Sequence, residues 1–472
     1  MKNDTIYAKA TEHRNSKRLW LQGNILARNA FVKGSTYNRT YTEDSLILEI
    51  ADQGNYVVSG KKTAKANHFA PIIDIHSKEL HSFTGDSDRV KVDVGLGIIV
   101  ISLHHHARKQ KARETSFKNA CLAKSLTKGD LCVGIGMSSW AMKMGFNKNG
   151  FSTSTSWVVD RESKYLDIAI ANNPAITSDT RIIHSSLEEV ESSELTNVNI
   201  CTFSLPCTGH SKSGKTKNKI TLAEQHDTDA TAAYGLYNNL QTINAGVYVS
   251  ENVPEAQDSA TYILLKSTLQ LLGYSVFESI LDNKQSGSFE NRKRYWFVAV
   301  SNGLNIDDSF QIPTYEKKYQ LLSEFMSEVT DNDSSWSENQ YLKDKAIRDA
   351  KDGKGFTRQL VDGNSTGYGP VNRTYAKKQS TPPMVIRAGD TKERLLTPLE
   401  HALGKQCPVE LIANTYDTHA HQGLGQGVDM FQGIGIAEWV FHAVCAVQSK
   451  TNKLVKARLL SEQRDFFGQW ES

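Results

Sequence analysis

The sequence predicts an α/β protein, with an open, mixed but mostly parallel sheet flanked by helices, a small β-rich domain in front of it and an irregular segment inserted late. Three observations predict this. From residue 128 onward, short apolar runs alternate with helix-length stretches, the pattern of parallel strands joined by crossovers. Two of those runs end in residues that carry chemistry, a glycine turn at Gly134-Ile135-Gly136 and a cysteine after proline at Pro206-Cys207. Ahead of them, residues 18–50 and 71–103 read as two copies of one strand-and-hairpin unit.

At 472 residues the chain is long for one domain and suggests two or three. A hydrophobic content of 39% with 23% charged residues supports a sizeable core and excludes a disordered chain. No uninterrupted apolar segment approaches the length of a membrane span, and Met1–Tyr7 lacks an apolar leader, so a cytoplasmic protein without membrane contact is expected. The six cysteines (121, 132, 201, 207, 407 and 445) are scattered with no CxxC pair, which suggests neither a disulfide framework nor a zinc site. Net charge is only +3, but it is unevenly placed: residues 1–127 hold 20 Lys+Arg against 12 Asp+Glu, and the rest hold 35 against 40. A basic front suits a polyanion, or equally a solvated surface.

In residues 1–103, Arg18–Gly23 and Ser45–Ile50 flank a turn at Gly34, and Pro71–Ile75, Val90–Val94 and Gly97–Ser102 repeat the pattern around Gly85. This arrangement resembles the small swapped-hairpin DNA-binding fold of transition-state regulators, and reads equally as a small barrel that only packs on the rest of the chain. His104-His105-His106 with Arg108, Lys109, Lys111 and Arg113 opens a basic helix or linker over 104–127. Adjacent histidines on a helix point in different directions, so no metal site is expected there.

Residues 128–303 form the main α/β domain. Asp130–Gly136 ends a strand in glycines before a helix over Ser138–Gly145, a turn that lets a ligand approach the backbone. Trp157–Glu162 is a second strand ending in an acid, placed where a carboxylate accepts ribose hydroxyls. The run Ile200–Leu205 is a buried strand that Pro206 ends. Cys207 follows, with His210, Lys212 and Lys215 nearby to favour its thiolate. A polar tract and a helix over Ala230–Ile243 lead to the strand Ala245–Ser250, which delivers Glu251 to the same carboxyl edge of the sheet. Arg292 and Arg294 alternate ahead of the strand Tyr295–Val300 and so share a face in an extended chain.

Strand and helix alternation lapses over 304–392, a stretch with glycines at 353, 355, 363, 367 and 369 and with Tyr368, Asn372, Arg373, Tyr375, Lys377 and Lys378. Such loops suit groove reading by paired hydrogen bonds to base edges. Residues 393–472 return to the α/β domain through Arg394–Glu400, where Thr397, Pro398 and Glu400 mark a helix start. Asp429–Gly435 contains a second glycine pattern, but the 37 residues after Gly435 are too few to supply the strands and acid that a cofactor domain needs next.

Taken in order, Pro206-Cys207 with Ser211 and Gly214, Glu251-Asn252-Val253, Glu290-Asn291-Arg292-Lys293-Arg294 and Arg394–Glu400 resemble the motifs of the cytosine-5 DNA methyltransferase family over roughly Asp130–Val447. The resemblance implies a Rossmann-like methyltransferase catalytic domain, S-adenosyl-L-methionine as cofactor, and a target-recognition region at 304–392. It implies catalytic Cys207, Glu251, Arg292 and Arg294. Cofactor contacts are implied for Gly134, Ile135, Gly136, Glu162, Ser186, Leu187, Pro206, Gln426 and Val428. Departures from the family pattern are Cys132 for an aromatic, Met137 for a glycine, Ser186 for an acid, Thr208 and Glu290 for glutamines and Gln426 for an asparagine. Further implications are a double-stranded DNA substrate, a monomer and a companion restriction endonuclease. The competing readings are the same chemistry on transfer RNA, and a DNA-binding regulator that has lost activity.

Overall fold

A computed structural model describes residues 4–63, 69–84, 87–353 and 357–450, so the turn expected at Gly85, the glycine at 355 and the basic tail beyond Lys450 lie outside the described residues. The chain divides into two compact units, Met1–Ala112 and Arg113–Ser472.

The first unit wraps one sheet around one core. Its strands are β1 (Asp4–His13), β2 (Ser16–Gln22), β3 (Thr36–Tyr41), β4 (Ser45–Ile50), β5 (Tyr56–Val57), β6 (Ser59–Lys62), β7 (Phe69–Ser77), β8 (Arg89–Gly95) and β9 (Ile98–Leu103). Helices α1 (Asn24–Arg28) and α2 (Lys78–Thr84) follow β2 and β7. Each sequence copy is therefore a strand, a short helix and a hairpin. The copies interleave, because β2 pairs with β7 and β4 with β9. In the order β5-β3-β4-β9-β8-β1-β2-β7-β6 the two end strands are separated in sequence by Val58 alone, so the sheet must curl toward closure. Alternate residues Leu19, Leu21, Leu46, Leu48, Ile73, Ile75, Val90, Val92, Ile99 and Ile101 fill the interior.

The histidine run departs from expectation. His104 precedes helix α3 (His105–Ala123), so helical geometry does not splay its ring away from the next two. The rings of His104 and His105 stack at 4.1 Å, those of His105 and His106 meet at 4.2 Å, and ring nitrogens of the three lie within 4.8 Å. The Nδ1 of His104 accepts the His106 N–H at 3.1 Å, which occupies a lone pair that a metal would use. Burial and mutual repulsion push His106 down to about 4.

The second unit is built on a seven-stranded sheet. Its strands are β10 (Ser125–Leu131), β11 (Ser152–Asp160), β12 (Arg181–His184), β13 (Ile200–Phe203), β14 (Val247–Asn252), β15 (Tyr274–Leu281) and β16 (Arg294–Ser301), in the order β12-β11-β10-β13-β14-β16-β15. The first five are mutually parallel, and β16 runs antiparallel between β14 and β15. Helices α4 (Met137–Lys148), α5 (Ser163–Asn172), α6 (Lys212–Asn218), α7 (Asp227–Ile243), α8 (Ala260–Leu271) and α9 (Asn283–Ser286) connect these strands. Separate apolar clusters pack against the sheet, one around Met142, Phe146, Val247 and Trp296, another around Trp157, Leu236, Tyr248 and Tyr262.

Residues 305–392 carry α10 (Gln340–Lys351) and, with the two residues that follow, a three-stranded sheet of β17 (Gln359–Val361), β18 (Pro383–Ile386) and β19 (Glu393–Arg394) over its own small core. Helices α11 (Pro398–Gly404), α12 (Asp417–Gln426) and α13 (Met430–Val440) then return to the main sheet. The second glycine pattern is thereby explained: it lies in α13, which Asp429 caps by accepting the Phe431 and Gln432 N–H groups. A Cβ on Gly433 would stand 2.8 Å from that of Ala141, and one on Gly145 would stand 2.5 Å from that of Ala437, so these glycines let α4 and α13 cross closely. The helix over Met430–Lys450 is long and apolar enough to cross a membrane, contrary to the expectation from the sequence. Of its most apolar stretch, 72% is buried in this unit, the signature of a core helix.

Arg394 and Glu400 join the inserted region to the main sheet. Their fully buried side chains meet in two parallel hydrogen bonds of 2.8 Å. The same carboxylate accepts the Thr397 N–H at 2.7 Å and the Ser327 N–H at 2.8 Å. Glu400→Ala leaves the buried Arg394 charge without its counter-ion and takes the acceptor from two N–H groups, and is expected to lower unfolding free energy by about 3–5 kcal/mol. Replacing both partners with Leu and Met is expected to cost much less, and urea denaturation of the three proteins checks both values.

Candidate functional site

The glycine turn comes first along the carboxyl edge of the sheet. Gly134 and Gly136 have φ of +56° and +80°, the left-handed region that side chains resist. A Cβ on Gly136 would collide with Asn173 Nδ2 at 2.2 Å. Asp160, at the end of β11, accepts the Gly134 N–H at 2.7 Å and the Glu162 N–H at 2.9 Å, tying the turn to the neighbouring strand end. Burial pushes the Asp160 carboxyl up, and those two N–H bonds hold it down. Sequence reasoning missed Asp160, although its place as the last residue of an apolar strand two before Glu162 was a usable signal.

Glu162 sits at the start of α5 with its carboxylate one-third exposed, 3.4 Å from Arg373 and 3.8 Å from Lys164. Ser186 donates to Glu189 at 3.0 Å, and Leu187 is buried against α7, where a Cβ on Gly235 would overlap its backbone. From the far end of the chain α12 closes over the turn. Cβ atoms on Gly423 and Gly427 would strike Ile135 at 2.6 Å and Met137 at 2.1 Å, while Gln426 Nε2 is the one group within 4 Å of the place a Gly134 Cβ would take. Val428 is buried in the main core.

These residues fit S-adenosylmethionine. The turn leaves an open cradle at Gly134, Gln422 Oε1 is a buried oxygen without a hydrogen-bond partner in the neighbouring helix, and Glu162 offers a carboxylate suited to ribose hydroxyls.

Cys207 lies beyond the end of β13, on the other side of the same edge. Ser211 N–H returns to the Cys207 carbonyl at 2.9 Å, and the Ser211 side chain caps α6 by accepting the Gly214 N–H at 3.1 Å. Asp229 of α7 anchors the loop by accepting the Gly209 N–H at 2.6 Å, and burial pushes this carboxyl up to about 6. The cations near Cys207 differ from those expected. His210 is buried beside Tyr262 and burial pushes it down to about 4, so it is neutral, while Lys212 reaches out to Glu255 at 3.7 Å. Arg294 is the principal cation acting on the thiol, followed by Arg292. Cys207 is exposed, yet the cleft walls remove enough water to push its thiol up, and Arg294 opposes that rise most strongly.

Glu251 and Arg294 meet because of strand register. Glu251 stands opposite Trp296, and Arg294, two residues before Trp296, projects from the same face diagonally across from Glu251. Arg294 Nε lies 2.6 Å from Glu251 Oε1, and Ser204 at the end of β13 donates to the other oxygen at 3.4 Å. Asn252 Nδ2 donates to the Leu205 carbonyl at 3.0 Å, which pins the base of the Cys207 loop to the Glu251 strand. Arg292 is committed elsewhere: it donates to the Gly425 carbonyl at 3.0 Å and the Val371 carbonyl at 3.3 Å, with Glu290 at 3.4 Å. It therefore shapes the site from behind. Gln432 of α13 braces β16 and the segment before it, accepting from Trp296 Nε1 at 3.0 Å and donating to the Arg292 carbonyl at 2.8 Å. In the inserted region Tyr368 and Tyr375 are core residues rather than groove readers, and Arg373 and Lys377 are exposed.

The model of the C-5 cytosine-specific DNA methylase family matches residues 126–444. Type II methyltransferase M.MspI from Moraxella sp is 25% identical over 327 residues, which cover 68% of this chain and 72% of that protein. Type II methyltransferase M.SsoII from Shigella sonnei is 24% identical over 251 residues, 51% of this chain and 63% of that one. Among solved structures, the S. pombe Dnmt2 methyltransferase superposes with a TM-score of 0.53 at 17% identity, over 67% of this chain and 98% of that chain. The Entamoeba histolytica methyltransferase EhMeth gives 0.54 at 17% identity over the same shares. The fold, the ordered motifs and the family match agree: the chain belongs to the C-5 cytosine-specific DNA methylases, which transfer the methyl group of S-adenosyl-L-methionine to carbon 5 of cytosine in DNA.

Proposed function

We propose that Cys207 is the nucleophile of this transfer, with Glu251 and Arg294 as the groups that hold the cytosine. The observation that carries the reading is the 2.6 Å pair of Glu251 and Arg294, with Arg294 also the principal cation acting on the Cys207 thiol in the loop beyond β13. Carbon 5 of cytosine is too weak a nucleophile to accept a methyl group unaided. Bond formation between the Cys207 sulfur and carbon 6 pushes electron density onto carbon 5 and N3. Glu251 hydrogen-bonds and protonates N3, and Arg294 donates to O2, so both stabilise the charge that develops. S-adenosylmethionine supplies an electrophilic methyl. Loss of the carbon 5 proton and departure of the Cys207 thiolate then restore the aromatic ring.

Carbon 5 and carbon 6 are out of reach inside a stacked duplex, so the cytosine must leave the stack, at about a few kcal/mol offset by contacts to the extruded base. Residues 304–392 are the target-recognition region, with exposed Arg373 and Lys377 as its candidate groove contacts. Arg292 orders the junction between that region and α12. The chain acts as a monomer on double-stranded DNA in the cytoplasm, within a restriction–modification pair.

The first unit adds a grip on DNA independent of sequence. Lys33, Lys61 and Lys62 are exposed, and Trp20, Tyr56 and Phe69 are exposed aromatics of the same sheet. Changing the three lysines to Gln is expected to raise the KM for long duplex and to reduce the slope of log K against log salt by about 3, one unit per phosphate contact. An unchanged slope removes this unit from the DNA contact.

Cys207→Ala is expected to abolish methyl transfer while DNA and cofactor binding persist, and full activity in that variant would dispose of the mechanism. A duplex carrying 5-fluorocytosine at the target is expected to form a denaturation-resistant adduct with wild type only, because fluorine cannot leave as a cation. Alkylation of Cys207 by iodoacetamide, read by mass spectrometry, is expected to be slow at neutral pH. It should accelerate only as pH passes above the ordinary thiol range, since the raised thiol ionises later. Arg294→Met removes the chief opposing cation and should move that rise to still higher pH.

A further inference from the structure

Gln426 is the residue of α12 that faces Gly134, and both carbonyls beside it are held by buried cations. Arg292 donates to the Gly425 carbonyl at 3.0 Å, and Lys405, fully buried, donates to the Gly427 carbonyl at 3.2 Å. We propose that Lys405 is a positioning residue for the cofactor, acting with Arg292 as a clamp that fixes the Gln426 amide over the glycine turn. This rests on reading the Gly134 turn as the S-adenosylmethionine site.

Buried charge gives the clamp its rigidity. Glu290 is fully buried; its Oε1 accepts the Val371 N–H at 3.0 Å and lies 3.4 Å from Arg292, while its Oε2 has no hydrogen bond and faces the Lys405 ammonium at 3.7 Å. Asp429, also buried, accepts from Ser286 at 3.0 Å and caps α13. Two acids and two cations therefore share one buried region. Such a group holds its geometry because removing any member strands another charge without solvent. Cations at the last carbonyls of α12 also oppose the negative end of its dipole. Movement of Lys405 would thus free both the end of α12 and the amide that Gln426 presents. A counter-ion for Glu290 alone would have no cause to donate to the Gly427 carbonyl.

The test separates these two roles. In the full-length protein, Lys405→Met is expected to raise the dissociation constant for S-adenosylmethionine, measured by titration calorimetry, by about 10-fold, the worth of one charge-assisted hydrogen bond. The turnover rate at saturating cofactor should change less than about 2-fold, since on the same principle it does not depend on that bond. The double variant Glu290→Gln/Lys405→Met removes the stranded acid, so its urea midpoint should return toward wild type while cofactor affinity stays weakened. If Lys405→Met does not fold, the double variant alone decides. Wild-type affinity in either variant overturns the proposal, leaving Lys405 as a counter-ion only. Failure of the wild-type protein to bind S-adenosylmethionine overturns instead the reading of the Gly134 turn.

Discussion

The contact between Glu251 and Arg294 is the joint on which the active cleft depends. It spans the line in the sheet where five parallel strands give way to an antiparallel pair, and so binds the strand that carries the acid to the strand that carries the guanidinium. A parallel arrangement alone would place neighbouring residues at one edge without a diagonal partner from an opposing direction. Reversal of β16 starts Arg294 at the edge where β14 ends, and the register Glu251 to Trp296 puts both side chains on one face. The carboxylate is thereby held in place, and Arg294 is the principal cation that acts on the thiol.

Close approach is the second organising device. The turn at Gly134–Gly136 is covered by a helix from the far end of the chain, at a distance that excludes side chains at Gly423 and Gly427. Another pair of glycines, Gly145 and Gly433, lets α4 and α13 cross next to it. Glycine costs conformational entropy in a helix, which is offset here by the backbone contact that only its absent side chain permits. The surroundings of the glycine turn are therefore assembled from both ends of the second unit, with the inserted region looped out between them.

That insertion is attached by buried polar groups rather than by apolar packing alone. Arg394 with Glu400 sits where the insertion re-enters, and Arg292 and Glu290, with Lys405 beside them, hold the backbone of its Val371. Buried ion pairs resist small displacements because partial separation away from solvent is costly. An insertion secured in this way keeps its orientation relative to the main sheet while its exposed loops stay free to vary.

Local chemistry in the sequence determined a great deal: the alternation of strands and helices, the repeat in the first hundred residues, the glycine turn, and the order of Cys207, Glu251 and Arg294. Each is written in short range, in the period of apolar residues or the placement of glycine, proline and acid at strand ends. Only the tertiary structure decided which charges face which. His210 and Lys212 stand next to Cys207 in sequence but point into the core and into solvent, while Arg294, far along the chain, acts on the thiol. Gln432 and Lys405 left little or no signal, because a buried polar residue acquires its role from partners brought in by other elements. Strand register and helix crossing set those partnerships, and both depend on how distant segments share one interior, a property that no single stretch of sequence contains.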